Sequence, residues 1–235
     1  MVAERHDDVR YMKAVILDYG QVMARCPTEQ EFARMAKMFH ASFDSFYELW
    51  EASRGPYDRG DLTAEEYWLK LAAETNSSLT REQIEILREV EIEVWAHAIP
   101  DMLHWLSQLQ TAGFKTALLS NMPVDLMQYV LANFRWMDGF TFKTFSCAVR
   151  LLKPDPAIYE HTLRGLGVAA QEALFVDDRE PNIQAARALG MSAIQFRSVK
   201  QLKDELAAIH FPTLPVVTPA TSHEDGTGRE IKFQL

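Results

Sequence analysis

Asp18 and the pair Asp177-Asp178 each stand directly after a short apolar run, and Ser120-Asn121 closes a third run. Lys153 lies between the second and third of these, in the segment LLKPDPAIY. In an open α/β sheet, ligands bind outside the carboxyl ends of the strands. If the runs are parallel strands, three carboxylates, a hydroxyl, an amide and an ammonium converge on one crevice. Carboxylates crowded together raise each other's pKa unless a cation sits among them. Magnesium is the natural cation: it is hard and takes oxygen ligands, commonly one or two carboxylates plus a substrate phosphate. With the metal, Lys153 and the Ser120 hydroxyl screening a phosphate dianion, a carboxylate can approach phosphorus as a nucleophile. The acyl phosphate so formed is open to water.

These residues need a scaffold, and the surrounding pattern supplies one. Ala14–Leu17, Thr116–Leu119, Ala173–Val176 and, more weakly, Ser192–Phe196 read as strands buried on both faces. Helical patterns over Asp101–Thr111, Pro156–Leu166 and Asn182–Leu189 alternate with them, stopped by glycines such as Gly113 and Gly190. The alternation predicts a Rossmann-like doubly wound parallel α/β sheet. Residues 26–98 differ, with helical stretches Glu29–Phe39, Phe43–Ala52, Ala64–Glu74 and Arg81–Ala96 and no strand. Thr63 with Glu66 and Thr80 with Gln83 are capping boxes. An insertion directly after the first strand sits above the strand ends as a cap. The expected organisation is a core of residues 12–25 and 99–210, a helical cap domain of 26–98, and tails at 1–11 and 211–235.

The bulk composition agrees with a globular enzyme. Of 235 residues, 48% are hydrophobic and 24% charged, ordinary globular values. The net charge of −9 argues against non-specific nucleic-acid binding. Cys26 and Cys147 are far apart without metal-ligand companions, which fits a reducing compartment. No stretch suits a signal peptide or a membrane span, so the expectation is a soluble, cytoplasmic protein. His97 and His104 also lack companions for a metal site. Phe39, Phe43, Phe46, Tyr47 and Trp50 read as the packing of the cap. Arg54, Tyr57 and Arg59, in the glycine-broken segment SRGPYDRGD, are the cap residues best placed to reach a substrate, with a solvated loop as the alternative.

Taken singly, each site motif has a plain structural role: a strand-end carboxylate, a turn, a surface lysine, a helix cap. The ordered set is what carries information. Asp-x-x-x-Val after a strand, then Ser-Asn, then Lys-Pro-Asp-Pro-x-Ile-Tyr, then Asp-Asp with an asparagine four residues on, resembles the haloacid dehalogenase superfamily over about residues 12–205. The resemblance implies Asp18 as nucleophile and magnesium ligand, Ser120 as phosphoryl binder with Asn121 beside it, and Lys153 as the cation between nucleophile and phosphate. Asp178 aligns best as the side-chain metal ligand, with Asp177 as the alternative, and Asp177 and Asn182 otherwise support the metal and its waters. In most phosphatases of the family a second aspartate, two residues after the nucleophile, serves as general acid and base. Here that residue is Gly20, whose carbonyl can still bind magnesium. General acid–base help is worth about 10²–10⁴-fold, so esters with good leaving groups suffer least. The Asp-x-Gly-x-Val start resembles bacterial sugar-1-phosphate phosphatases. The expectation is therefore a magnesium phosphatase acting on a small phosphorylated metabolite such as a sugar phosphate. The alternatives are a metal-independent 2-haloacid dehalogenase and a catalytically silent binding protein.

Overall fold

The strand β1 (Ala14–Leu17) is an unbroken apolar tetrapeptide with every residue fully buried. Such a strand is stable only in the middle of a sheet covered on both faces. The computed structural model, which describes residues 12–215, puts it there. β2 (Lys115–Ser120) and β4 (Ala173–Asp177) flank it, with β3 (Phe142–Phe145) and β5 (Ser192–Gln195) outside them, in the order β3-β2-β1-β4-β5. All four pairings are parallel. Alternation along the strands divides the core into two layers. Val15, Leu17, Leu118 and Val176 pack with Leu106 of α5 (Pro100–Thr111), Val130 of α6 (Val124–Asn133) and Leu202 of α10 (Val199–Ala208). Ala14, Ile16, Leu119 and Phe175 pack on the other face with Ile158 of α8 (Pro156–Leu166) and Ile183 of α9 (Glu180–Ala188). This is the doubly wound sheet that the sequence predicts.

β3 is an addition to the expected strands. Its sequence, Phe-Lys-Thr-Phe, is short, and its first two residues are only half-buried, as an edge strand's can be. It lacks the continuous apolar run that marks the central strands.

The helices α1 (Glu29–Ala36), α2 (Phe43–Asp58), α3 (Ala64–Glu74) and α4 (Arg81–Trp95) lie between β1 and α5 in the chain. They enclose an apolar core of their own around Phe39, Phe46, Trp68 and Leu87. Both expected capping boxes form, and Thr28 with Glu31 makes a third. α2 extends beyond the expected end at Ala52, through Gly55 and Pro56 to Asp58. Pro56 cannot donate the helical hydrogen bond to Ala52 and is locally unfavourable. Packing overrides it: the buried Tyr57 ring stacks on Tyr67 with centroids 4.2 Å apart. Arg54 and Asp58 also pair at 2.6 Å across one helical turn.

This helical layer is tied to the sheet domain at several points. Arg88 of α4 pairs with Asp125 of α6 at 2.7 Å, and Arg150 with Asp61 at 2.7 Å. The Ser146 hydroxyl, in the short helix α7 (Ser146–Val149), donates to the carbonyl of Asp58. At Gly60 (φ +76°) the chain passes so close to Cys147 that a Cβ would fall 2.9 Å from its carbonyl oxygen, so glycine is required. Phe211 stacks on Phe114 at 5.3 Å, which seats the start of the expected C-terminal tail on the core. The tail segments 1–11 and 216–235 lie outside the described residues. Among the described residues, no helix is long and apolar enough to cross a membrane.

Candidate active site

β1, β2 and β4 run parallel, so their carboxyl ends lie side by side. Asp18 follows β1, Ser120 ends β2, and Asp177 ends β4 with Asp178 after it. Register makes the convergence specific: Leu17 is opposite Leu118 on one side and Val176 on the other. Asp18 is further fixed by its backbone N–H donating to the Val176 carbonyl at 3.0 Å. One carboxylate oxygen from each of Asp18, Asp177 and Asp178 lies within 4.8 Å of the others, and no other group of three metal-capable side chains occurs among the described residues. His97 and His104 join no such group.

The Lys153 ammonium is buried at the centre of this cluster. It stands 2.7 Å from Asp18 Oδ1 and 2.6 Å from Asp177 Oδ2. Its backbone is held by Asn121, whose Nδ2 donates to the Lys153 carbonyl at 3.0 Å and whose Oδ1 accepts from the Lys153 N–H at 2.9 Å. Asn121 therefore spends both ends of its amide aiming the lysine. The carboxylate of Asp177 is saturated from within the protein. It accepts from Lys153, from the Arg179 backbone N–H at 2.8 Å, and from Asn182 Nδ2 at 2.9 and 3.0 Å. Asp177 is fully buried, whereas Asp178 is half-buried and lines the cavity with Asp18, Gly20, Ser120, Lys153 and Asn182.

The electrostatics follow from this crowding. Burial pushes the Asp18 carboxyl up to about 7; Lys153 opposes that, and the charges of Asp177 and Asp178 add to it. Burial and then Asp177 push Asp178 up to about 6. Burial works against the charge on Lys153, but Asp177 and Asp18 outweigh it and hold the ammonium above its ordinary value. Three ionised carboxylates and one ammonium leave two negative charges, which one divalent cation would cancel. The donor set is all oxygen, as a hard cation requires.

The cavity above the cluster has a volume of about 320 Å³, within the range of small-molecule sites. Of the three residues singled out in the SRGPYDRGD segment, Arg54 lines this cavity, Tyr57 is buried in the helical layer, and Arg59 pairs with Asp61 near the surface. Arg54 is itself enclosed, paired with both Asp58 and Glu91. The aromatic expectation divides. Phe39 and Phe46 are core residues, while Phe43, Tyr47 and Trp50 also line the cavity. Their spacing places them on one helix face, but the pattern does not tell a cavity-facing stripe from a core-facing one. Trp95, the last residue of α4, was not anticipated. Its indole lies over Gly20, where a Cβ would come 3.3 Å from the ring, and its carbonyl accepts from the Tyr19 hydroxyl at 2.7 Å.

Residues 10–190 match the family model described as a hydrolase, haloacid dehalogenase-like hydrolase. The bifunctional epoxide hydrolase 2 of Rattus norvegicus is 30% identical over 134 residues, covering 54% of this chain and 24% of that protein. The sesquiterpene phosphatase astK of Aspergillus oryzae is 34% identical over 91 residues, covering 38% of this chain and 46% of that one. The chain spans only 20–36% of the length of the first three curated relatives it matches. Among solved structures, a HAD family enzyme of Bacteroides thetaiotaomicron superimposes with a TM-score of 0.67 at 19% identity, over 83% of this chain and 98% of that one. The same enzyme has also been solved in complex with magnesium and inorganic phosphate.

Proposed function

The chain belongs to the haloacid dehalogenase-like hydrolases, and from that premise we propose that it is a magnesium-dependent phosphatase that hydrolyses small phosphate esters through Asp18. The observation that carries this reading is the geometry around Lys153. One buried ammonium bridges Asp18 and Asp177, while Asp178 faces the cavity from beside them. That arrangement suits a dianionic substrate and a divalent cation together, and it has no use for three carboxylates without one. Phosphatases among the relatives support the same reading.

Asp18, the Gly20 carbonyl and Asp178 would hold the magnesium, with Asp177 and Asn182 behind them. When bound, the ion supplies charge neutralisation on the phosphate oxygens. Lys153 draws Asp18 and the phosphate together, and Ser120 binds a phosphoryl oxygen. Asp18 attacks phosphorus, the bond to the ester oxygen breaks, and water then hydrolyses the aspartyl phosphate. Residues 26–98 act as a cap that closes the site from above, on a core of 12–25 and 99–210.

Gly20 leaves residue 20 without a carboxyl group to protonate the departing oxygen, so turnover depends steeply on leaving-group acidity. A sugar 1-phosphate meets that requirement. The purified protein is tested on a panel of phosphate esters with magnesium, beside 2-chloropropionate without metal. Phosphate release that needs the metal is expected. Halide release without metal, and no phosphate from any ester, would establish dehalogenase chemistry instead.

A further inference from the structure

The floor and the walls of the cavity differ in kind. The floor is Asp18, Ser120, Lys153 and Asp178. The walls are Phe43, Tyr47 and Trp50 from α2, Phe32 from α1, Trp95 from α4 and Leu126 from α6. Phe32 meets the rings of Phe43, Tyr47 and Trp50 edge-on at centroid distances of 6.4, 5.2 and 5.0 Å, so four rings form one continuous surface. Tyr47 keeps 37% of its surface exposed within that group.

Two of the cations that line the cavity are already paired with acids. Arg54 is held by Asp58 and Glu91 and lies 4.6 Å from the Trp50 ring centre. Arg179 is paired with Glu51 at 2.6 Å. Hydroxyl groups brought against the aromatic ring faces themselves would lose water without gaining partners, which disfavours them. Nearest the nucleophile, Trp95 covers Gly20, so an indole stands where the family's usual carboxylate would project.

Building on the phosphatase reading, we propose that the preferred substrate is the monophosphate of an apolar phenol or similarly acidic hydroxyl compound, its hydrocarbon lying on the Phe43–Tyr47–Trp50 wall. The test uses para-alkylphenyl monophosphates with the alkyl group lengthened stepwise, because leaving-group acidity stays nearly constant along that series. With magnesium present, kcat/KM is expected to rise about fourfold per added methylene, chiefly through KM, until the wall is covered. Glucose 1-phosphate and phosphoglycolate are expected to fall at least about 100-fold below the best member. Phe43→Ser/Tyr47→Ser flattens the series, whereas Leu131→Ser, at an exposed position outside the cavity, keeps its slope. A flat series in the parent enzyme, or preference for glucose 1-phosphate, overturns this proposal and leaves the phosphatase reading standing. No turnover of any ester, phenyl phosphate included, overturns both.

Discussion

Replacing Lys153 with methionine removes the one cation among three carboxylates while nearly keeping the side-chain volume. The Lys153 side chain is 2% exposed and its ammonium touches two carboxylates at 2.6 and 2.7 Å, so solvent screens little of the interaction. Breaking such a buried pair from one side costs about 3–5 kcal/mol, because the remaining charges stay buried without a partner. For a chain of this length, each kcal/mol moves Tm by about 2–4 °C, so a fall of about 6–20 °C is expected at pH 8 without metal. The penalty must depend on pH. Asp18 already titrates near about 7 in the parent, and Lys153 is the chief influence lowering it. Without that influence the folded-state value climbs further above the ordinary carboxylate range. A carboxyl raised in this way favours folding below its unfolded pKa, and that contribution is lost as pH rises through the folded value. At pH 5 the cluster can take up protons in place of the lysine, and most of the loss is recovered. Thermal denaturation in EDTA at pH 5 and pH 8 measures both effects. Equal Tm values for variant and parent at pH 8, or a larger penalty at pH 5, would refute the electrostatic reasoning.

Magnesium affinity should strengthen from pH 5 to pH 8, because Asp178 near about 6 and Asp18 near about 7 must lose protons to bind it. Calorimetry should show about a tenfold gain per pH unit between 6 and 7, steeper below 6; a flat profile would place the ion elsewhere. Gly20→Asp alone should cost about 1–3 kcal/mol, since a Cβ meets the Trp95 ring at 3.3 Å, and should not restore acid catalysis. Adding Trp95→Ala should free the carboxyl and raise turnover of alkyl esters by up to about 10²-fold; kinetics of the single and double variants decide this. Arg54→Met leaves Asp58 and Glu91 buried and unpaired. It should destabilise the protein by about 3–5 kcal/mol in urea denaturation, and wild-type stability would show that the pair is not held as described.

The central strands and the candidate site residues at their ends were legible because burial on both faces leaves a contiguous apolar run. A polar residue at the end of such a run is conspicuous, as with Asp18, Ser120 and Asp177. β3 lacked that mark: at the sheet edge its first two residues stay half-buried, and Lys143 breaks the run. The end of α2 was misread because Gly55 and Pro56 are local stop signals, while what carries the helix through them is long-range: Tyr57 on Tyr67 and Arg54 against Glu91. The cavity walls were hidden for a related reason. Phe43, Tyr47 and Trp50 form the same periodic stripe whether they face a protein core or an open chamber, and Trp95 meets Gly20 across 75 residues of chain. Gly20 itself was visible as a missing acid, but only the structure shows an indole in its place.

Asp18 as the nucleophile is tested by comparing phosphate release by the parent and Asp18→Asn with magnesium and p-nitrophenyl phosphate. Circular dichroism verifies that both are folded. Phosphate release by the parent and its loss in Asp18→Asn are expected. Full activity in that variant would contradict the assignment of Asp18.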